Sequence, residues 1–397
     1  MTKTERITWG SASARRLARQ FLANSARTGT PVADVVGTML GVHAQVLSAA
    51  ELSVGLRTDG TTRMDVRTAL WPTESSAAPP PLVKTHGPRG TVHLLPARDL
   101  PMWCAALPAI PGGPGTASPS DVRLTEEQAG QVVAAIGDAL DGTFLTIDEL
   151  GEEVVARTGP WAGDLVMPAF QTMWPRWRQV LHRAGQSGVL SFGPHRGRKV
   201  TYTRPPHFTP PAPEEALRRL VRRYLHAYGP ATPQHFARWL AAPPGWARTL
   251  YAELAAAGEI EAVDFEGTSA WVVTGDTDFP DGPEREGLLR GVRLLPYFDA
   301  YLIAAQPREL LYPGAAYERA LAGGQAGNFP VLLVDGVVAG VWHQRRRGSR
   351  TTVTVEPLGR LTARQERELA AQAERVGDVL EARAELVVGE VTVGPHA

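Results

Sequence analysis

The sequence predicts an α+β protein, made of tandem winged-helix units followed by a small C-terminal β-barrel or β-sheet domain. Three observations lead to this fold class. Helical periodicity followed by a pair of short strands recurs along the chain. After the last recurrence the pattern becomes rich in strands. Proline blocks both helix interiors and central strands, and three proline-rich stretches punctuate the chain, at residues 72–81, 108–119 and 205–213.

These breaks predict four domains in the 397 residues. Residues 1–107 are predicted to form a first winged helix, residues 120–205 a second and residues 212–276 a third. Residues 285–397 are predicted to form the C-terminal β domain. A chain of this length suits a few domains of about 100–200 residues each.

The first segment fits a winged helix loosely. Its helical candidates lie at residues 12–22, 32–40, 43–56 and 64–71, and its two strands at residues 83–86 and 91–95. The second segment has a clearer pattern, because Thr146 is an N-cap candidate followed by acidic residues. Its helices are predicted at residues 124–140, 146–156 and 167–185, and its strands at residues 189–192 and 199–202.

The third segment repeats this order of helices and strands. Its helices are predicted at residues 214–228, 233–240 and 246–256, and its strands at residues 259–263 and 270–274. Thr232 is the N-cap candidate of the second helix. The last segment is strand-rich, and Asp335 and Gly336 between two apolar runs predict a tight hairpin. Its strands are predicted at residues 292–295, 331–334, 337–342, 351–355 and 384–388, and its helix at residues 361–380.

Charge and cysteine content exclude several classes of protein. Lys plus Arg and Asp plus Glu each number 41, so a globally basic nucleic-acid binder is excluded and any DNA contact must rely on local charge. Cys104 is the single cysteine, which excludes an intrachain disulfide and a zinc–thiolate site and predicts a core residue. No secretory h-region or apolar run of about 18 residues occurs, which predicts a soluble cytoplasmic protein without a membrane partner.

The common enzyme motifs are absent from the sequence. It has no Walker-A loop, no dinucleotide fingerprint after a strand and no Gly-x-Ser-x-Gly elbow. The ten histidines show no metal-ligand spacing. An acidic cluster at residues 148–153 is interpreted as the solvated start of a helix.

Four short stretches remain, at residues 41–45, 89–93, 294–301 and 342–350. Each has an ordinary interpretation alone: a polar helix start, a plain hairpin, a capping aspartate and a solvated arginine loop. In this order, and with these winged helices, they resemble the AlkZ/YcaQ-type tandem winged-helix DNA glycosylases over nearly the whole chain. The matching motifs are Arg-Gly-Thr-Val-His at 89–93, Tyr-Gly-Pro-Ala-Thr at 228–232, Leu-Pro-Tyr-Phe-Asp at 295–299 and Val-Asp-Gly-Val-Val-Ala-Gly-Val-Trp at 334–342.

The resemblance implies a monofunctional DNA glycosylase that needs no metal and no organic cofactor. Its expected partner is double-stranded DNA carrying alkylated guanine, and the chain is expected to act as a monomer. The family's catalytic signature is Gln-aliphatic-Gln, and the matching position here has His43, Ala44 and Gln45. This His-x-Gln variant resembles an actinomycete self-resistance branch that removes bulky, trioxacarcin-type antibiotic adducts from guanine.

An imidazole and an amide can be sufficient to hydrolyse this substrate. An N7-alkylated guanine already carries a positive charge, so it leaves as a neutral base without protonation. The Gln45 amide can orient a water molecule. A neutral His43 imidazole, with an ordinary pKa of about 6.5, can accept the proton of that water. Side chains two residues apart face the same way only on extended backbone, so the hypothesis requires a non-helical segment at residues 43–45.

Local arginine must supply the contact with DNA. Residues 344–350 are predicted to form the tip of a hairpin, and the DNA-binding candidates there are Arg345, Arg346, Arg347 and Arg350. By resemblance, Arg89 and His93 are also expected near the bound DNA, although either could be purely structural. A weaker candidate is the basic wing formed by His195, Arg196, Arg198 and Lys199.

Two other functions stay open at this point. A winged-helix transcription regulator would bind duplex DNA sequence-specifically and would need no role for His43 and Gln45. An adduct-binding protein would sequester the drug or its DNA adduct without catalysis. No lysine lies near the proposed motif in sequence, and Lys84 is the closest. A Schiff base forms on an amine, so this argues against a Schiff-base lyase step.

Overall fold

The computed structural model describes residues 6–72, 79–112, 121–169, 172–321 and 323–394. Packing divides the chain into two compact units. Unit 1 comprises Met1–Thr68, Val221–Trp239 and Pro244–Ala397, and unit 2 comprises Ala69–Leu220 and Leu240–Pro243.

Helices and strands are mixed along both units, so the fold is α+β as predicted. The first half of the chain contains α1 (Trp9–Arg19), α2 (Val32–Thr38), β1 (Val42–His43), α3 (Leu47–Gly55), α4 (Arg63–Leu70), β2 (Leu82–His86), β3 (Val92–Pro96), α5 (Leu100–Ala106), α6 (Glu126–Ala139), β4 (Leu145–Thr146), α7 (Ile147–Thr158), β5 (Leu165–Pro168), β6 (Met173–Pro175), α8 (Leu181–Gln186), β7 (Ser191–Arg196) and β8 (Lys199–Thr203).

The second half begins with three helices and a hairpin and then becomes rich in strands. It contains α9 (Pro213–Tyr228), α10 (Pro233–Leu240), α11 (Pro244–Ala256), β9 (Ile260–Phe265), β10 (Thr268–Val273), α12 (Gly282–Leu289), β11 (Val292–Leu295), α13 (Ala300–Ala304), α14 (Arg308–Leu311), α15 (Ala315–Ala320), β12 (Val331–Val334), β13 (Val337–Arg347), β14 (Arg350–Pro357), α16 (Ala363–Leu380) and β15 (Arg383–Val388).

In unit 2, α6 and α7 pack on a core that includes the fully buried Trp177. Both helices begin with a capping box, which satisfies backbone N–H groups at the helix start. Thr125 and Gln128 form the first box, and Thr146 and Glu149 form the second, as the sequence pattern predicts at Thr146. Unit 2 also contains a three-stranded antiparallel sheet with the strand order β4, β8, β7.

The predicted helix over residues 167–185 is wrong up to residue 180, and only its end is helical. Strands β5 and β6 form an antiparallel hairpin there, and a 3-10 turn (Arg176–Val180) and the short α8 follow it. The reason is proline: Pro168 and Pro175 lack a backbone N–H and disfavour helical dihedrals in the residue before them. Apolar spacing alone therefore overestimated the helix, and residues 170–171 of the prediction lie outside the described residues.

The proline-rich stretches can be compared only in part with the structure. Residues 204–212 contain neither helix nor strand, as the prolines predict, and they lie within unit 2. Residues 73–78 and 113–119 of the other two stretches lie outside the described residues, as do the N-terminal residues 1–5 used to exclude a secretory segment. Of the helices that the structure describes, none combines the length and apolar character needed to cross a bilayer.

In unit 1, the C-terminal strands form one five-stranded sheet in the order β11, β12, β13, β14, β15. All neighbours are antiparallel except β14 and β15, which are parallel because α16 crosses over between them. Helix α16 packs Val376 and Leu380 into a cluster with Trp342 of β13. The turn at Asp335 and Gly336 has positive φ at both residues, 47° and 88°, which confirms the predicted tight hairpin.

Two partly buried histidines make the stability of the fold depend on pH. Burial lowers the pKa of His86 and of His235 from the ordinary value of 6.5 to about 4. His182 adds to the shift of His86, and Arg16 and Arg238 add to that of His235. In the window between pH 6.5 and 4 the unfolded chain binds more protons, so stability falls as the pH falls.

We therefore expect the free energy of unfolding to fall below pH 6.5, by up to about 3 kcal/mol for each histidine near pH 4. Urea titrations at a series of pH values measure it. The double variant His86→Asn and His235→Asn should flatten the profile, whereas His195→Asn, at an exposed position, should not. A wild-type stability that is constant from pH 7 to pH 4.5 would contradict the assignment.

Candidate active site and arginine hairpin

The His-x-Gln motif lies on non-helical backbone. Leu40 and Gly41 adopt positive φ of 56° and 95°, which turn the chain out of α2 and into β1. Strand β1 contains His43, residues 44–46 form neither helix nor strand, and α3 begins only at Leu47. The backbone required for the catalytic hypothesis is therefore present. The predicted helix over residues 43–56 is wrong in its first turn.

The two side chains of the motif differ in exposure. His43 is buried, with 8 % of its surface exposed, whereas Gln45 is exposed. The His43 ring lies beside the ring of Phe298, at a centroid distance of 4.4 Å and an interplanar angle of 34°. This contact holds the imidazole against the Leu-Pro-Tyr-Phe-Asp stretch, which belongs to the same unit but to a distant part of the sequence.

Phe298 itself is held in an unusual conformation. Its φ of 54° lies in the left-handed region, which costs free energy for a residue other than glycine. Its backbone N–H donates to the carbonyl oxygen of Gly327 at 2.9 Å. A Cβ on Gly327 would approach the Phe298 Cα to 3.1 Å, and Gly327 also has a φ of 93°. Glycine is therefore needed at 327 to support the residue that contacts His43.

Asp299, the next residue, forms a fully buried ion pair with Arg57. The two guanidinium nitrogens donate to the two carboxylate oxygens at 2.7 and 2.8 Å, and both side chains are 0 % exposed. Ser53 Oγ donates to Asp299 Oδ2 at 2.6 Å. The backbone N–H of Tyr301 donates to Asp299 Oδ1 at 3.0 Å, so Asp299 is also the N-cap of α13.

This ion pair joins α3 to α13. Helix α3 starts two residues after Gln45, and Arg57 follows its last turn, so the pair fixes the helix that continues from the motif. The end of α3 is also held by α16. Arg375 donates to the carbonyl oxygens of Gly55, Thr58 and Thr61 at 2.6 to 2.9 Å, and a Cβ on Gly55 would lie only 2.5 Å from Val379.

Sequence reasoning missed Ser53 and Arg57 and considered Asp299 only as a cap or turn residue. One feature of the sequence points to them: the segment that contains α3 is apolar, yet it contains Glu51 and Arg57. A charged residue in a buried segment must find a partner. The structure supplies both partners, Asp299 for Arg57 and Arg67 for Glu51, the second pair at 2.6 Å.

The other predicted contact residues of the first segment lie in unit 2. The hairpin of β2 and β3 is present as predicted, with Arg89 in the 3-10 turn at its end and a φ of 60° there. Arg89 is half-buried and His93 is buried. The Nδ1 atom of His93 lies 2.9 Å from the carbonyl oxygen of Thr91. The DNA-binding role of Arg89 and His93 stays a prediction.

The arginine-rich segment forms the end of a long antiparallel hairpin. The predicted hairpin is present, but its strands are longer than predicted: β13 continues past Trp342 to Arg347 and β14 starts at Arg350, so only Gly348 and Ser349 form the loop. Gly348 has a φ of 59°, which suits a two-residue hairpin turn. The exposed arginines are Arg345, Arg346, Arg347 and Arg350.

The hairpin of β7 and β8, predicted to be a basic wing, has much of its charge paired. Arg196 donates to Glu149 at 2.7 Å and Lys199 to Asp148 at 2.7 Å. The carboxylates belong to the acidic start of α7, where Thr146 and Arg196 lower the pKa of Glu149. Paired cations attract phosphate less strongly, so the wing is a weaker DNA-binding candidate than the hairpin of β13 and β14.

Neither a reactive thiol nor a metal cluster emerges from the described residues. Cys104 is buried, as predicted for a core residue, and burial raises the pKa of its thiol to about 12. Across the described ranges, no group of three or more His, Cys, Asp and Glu side chains is placed to hold a metal ion. The candidate site therefore offers an imidazole, an amide and, on the hairpin, guanidinium groups.

Comparison with known proteins finds similar sequences and a similar fold. The family model described as DNA glycosylase AlkZ-like matches residues 36–379. A relative from Streptomyces sahachiroi, named an interstrand DNA cross-link repair glycosylase, is 32% identical over 351 residues, which are 85% of this chain and 88% of the relative. The solved structure of Streptomyces sahachiroi DNA glycosylase AlkZ superposes with a TM-score of 0.74 and 29% identity, over 96% of this chain and 100% of that one.

The family model covers the His-x-Gln motif, Arg57, Asp299 and the arginine hairpin within one match. Both the sequence relative and the solved structure span most of the chain. The chain is a DNA glycosylase and belongs to the AlkZ-like family.

Proposed function

We propose that this glycosylase hydrolyses the N-glycosidic bond of N7-alkylguanine in duplex DNA, and that His43 and Gln45 perform the hydrolysis. The observation that carries the proposal is the non-helical backbone at the motif, with His43 held against Phe298 and Gln45 exposed. On such backbone the two side chains can act on one water molecule, which a regular helix would not allow.

The proposed roles follow from the chemistry of each group. The cationic base leaves as neutral alkylguanine and the sugar develops oxocarbenium character. Gln45 binds the attacking water through its amide oxygen and nitrogen. The His43 imidazole accepts the proton of that water as it bonds to the sugar carbon. No proton has to be delivered to the leaving group, which explains how a site without a carboxylic acid suffices.

The substrate class is inferred from the motif and from the relative. Bulky antibiotic adducts and crosslinks of guanine are the proposed substrates, since the His-x-Gln variant resembles self-resistance glycosylases and the Streptomyces sahachiroi relative is named for interstrand cross-link repair. DNA repair of this kind would protect a cell that meets such an alkylating agent. The chain is proposed to act as a monomer without metal or organic cofactor.

The proposed organisation is that of tandem winged helices. The helix-and-hairpin sets within residues 1–107, 120–205 and 212–276 are proposed as the winged-helix units. Residues 285–397 are proposed as the β domain that presents the DNA-contacting hairpin. Arg345, Arg346, Arg347 and Arg350 would bind phosphates, with Arg89 and His93 as further contacts.

Base release tests the proposal directly. Purified protein is incubated without added metal with duplex DNA bearing N7-methylguanine or a bulky N7-guanine adduct, and alkaline cleavage reports the abasic product. His43→Ala and Gln45→Ala should each reduce the single-turnover rate at least about tenfold, because a positioned base contributes about 10²–10⁴-fold. DNA affinity should stay unchanged. The matched control is Gln131→Ala, at an exposed position of α6 in unit 2.

Other outcomes would overturn parts of the proposal. Release of neither base from DNA that the protein binds would mean that this glycosylase acts on a different damaged base. Equal losses of affinity and stability in both motif variants would make His43 and Gln45 structural residues.

A further inference from the structure

Unit 2 contains an aromatic pocket that the proposed hydrolysis does not use. It has a volume of about 500 Å³ and lies between the end of α4, strand β2 and the wing of β7 and β8. Three aromatic side chains line it, Trp71, Phe144 and Phe192, together with several prolines. Its size and its apolar lining are typical of a site for a small planar group.

The aromatic rings are held in place by their neighbours. Trp71 Nε1 donates to the carbonyl oxygen of Phe192 at 3.0 Å, so the two residues are linked. Phe144 lies over Gly193, where a Cβ would come within 2.5 Å of its ring. Glycine at 193 therefore leaves the space that this ring occupies. Phe144 is nevertheless 46 % exposed, so the ring presents much of its surface to a ligand.

Two cations join the aromatic lining. The Lys84 ammonium lies 4.9 Å from the centre of the Phe192 ring, and Arg204 also lines the pocket, just after the end of β8. The residues that line this pocket in the described part of the chain include no Asp or Glu. Flat apolar rings beside positive charge complement a planar group that carries an anion.

We propose that this pocket binds an unstacked nucleotide of single-stranded DNA, with the base against Phe144 and Phe192 and the phosphate toward Arg204. Aromatic rings accept any base, because every base has a flat π face, and cations near them bind the backbone. The inference goes beyond base release, since it requires neither a damaged base nor His43 and Gln45. It assigns the glycosylase a second nucleic-acid contact, selective for unpaired strands.

The test measures binding of a fluorescein-labelled 12-nucleotide oligothymidylate by fluorescence anisotropy. Phe144→Leu keeps an apolar side chain but removes the ring, and should weaken binding about tenfold. Phe144→Trp should retain wild-type affinity. Arg204→Gln should weaken binding and reduce the salt dependence by about 0.7 in the logarithmic slope, as expected for one phosphate on a single strand. The control Trp174→Leu removes another exposed aromatic ring of unit 2 outside the pocket and should change nothing.

Photocrosslinking gives an independent readout. An oligothymidylate containing 4-thiothymidine should crosslink to peptides that contain Trp71, Phe144 or Phe192. Crosslinks confined to the hairpin at residues 343–351, or a Phe144→Leu variant that binds as the wild type does, would overturn the proposal. Loss of binding of an anilinonaphthalene sulfonate dye in Phe144→Leu, with unchanged oligonucleotide binding, would overturn it in favour of a small apolar ligand. Because no damaged base is involved, failure here leaves the proposed hydrolysis unaffected.

Discussion

Replacing Asp299 by asparagine is expected to lower the free energy of unfolding of unit 1 by about 3–5 kcal/mol. The substitution leaves the Arg57 guanidinium fully buried with no carboxylate beside it. It also replaces one of the two carboxylate oxygens, which accept from Ser53 and from the N–H of Tyr301, by an amide group that can only donate. Urea denaturation followed by circular dichroism measures the decrease, and hydrogen exchange of the α3 amides shows where the structure opens.

Two further variants separate the buried charge from the packing around it. The double replacement Arg57→Met and Asp299→Leu removes both charges and should recover much of the stability, because an apolar pair avoids the desolvation cost. Glu126→Gln breaks the exposed pair with Arg183 and should change stability by no more than about 1 kcal/mol. An Asp299→Asn protein as stable as the wild type would disprove the structural role of the ion pair.

Asp299→Asn should also slow base release by the protein that remains folded. The pair fixes α3, which starts just after Gln45, and Asp299 follows the Phe298 residue that contacts His43. A small displacement of the motif would misplace the attacking water. We expect a lower single-turnover rate at saturating enzyme with little change in DNA affinity, because Asp299 is buried and does not contact DNA.

Replacing all four hairpin arginines by alanine is expected to weaken duplex DNA binding by about tenfold near 0.1 M salt for each phosphate that the hairpin no longer binds. The variant changes Arg345, Arg346, Arg347 and Arg350 together. Each such phosphate should also make the logarithmic salt dependence shallower by about 0.9. The exposed positions at the end of β13 and β14 allow these changes without disturbing the core. Fluorescence anisotropy at several salt concentrations measures both quantities.

The matched control changes two exposed arginines of the same unit, Arg360 and Arg367, which lie away from the hairpin. Replacing these two arginines should weaken DNA binding clearly less than replacing the four hairpin arginines. Excision by the hairpin variant should be slow at low enzyme concentration and approach the wild-type rate at saturation, since binding and not chemistry is impaired. An unchanged salt slope would show that the hairpin does not bind the phosphates.

Much of the helical pattern was predictable from local residues. The helices of the third segment appear within two residues of the predicted boundaries, and Thr232 accepts the N–H of His235 at its helix start as a cap should. The sheet strands and the turn at Asp335 and Gly336 were also predictable. Apolar periodicity and turn chemistry are local properties, so they can be recognised without knowing what packs against them.

Local residue patterns were enough to predict the mixed fold class, most helices and strands, the candidate motif at His43 and Gln45 and the resemblance to DNA glycosylases. Only the folded chain shows that Arg57 pairs with Asp299, 242 residues later, and that Phe298 contacts His43. In the folded chain the arginine hairpin also extends to Arg347. The physical reason is that a buried charge or a strained backbone depends on partners brought together by packing, and no local pattern records which partners those are.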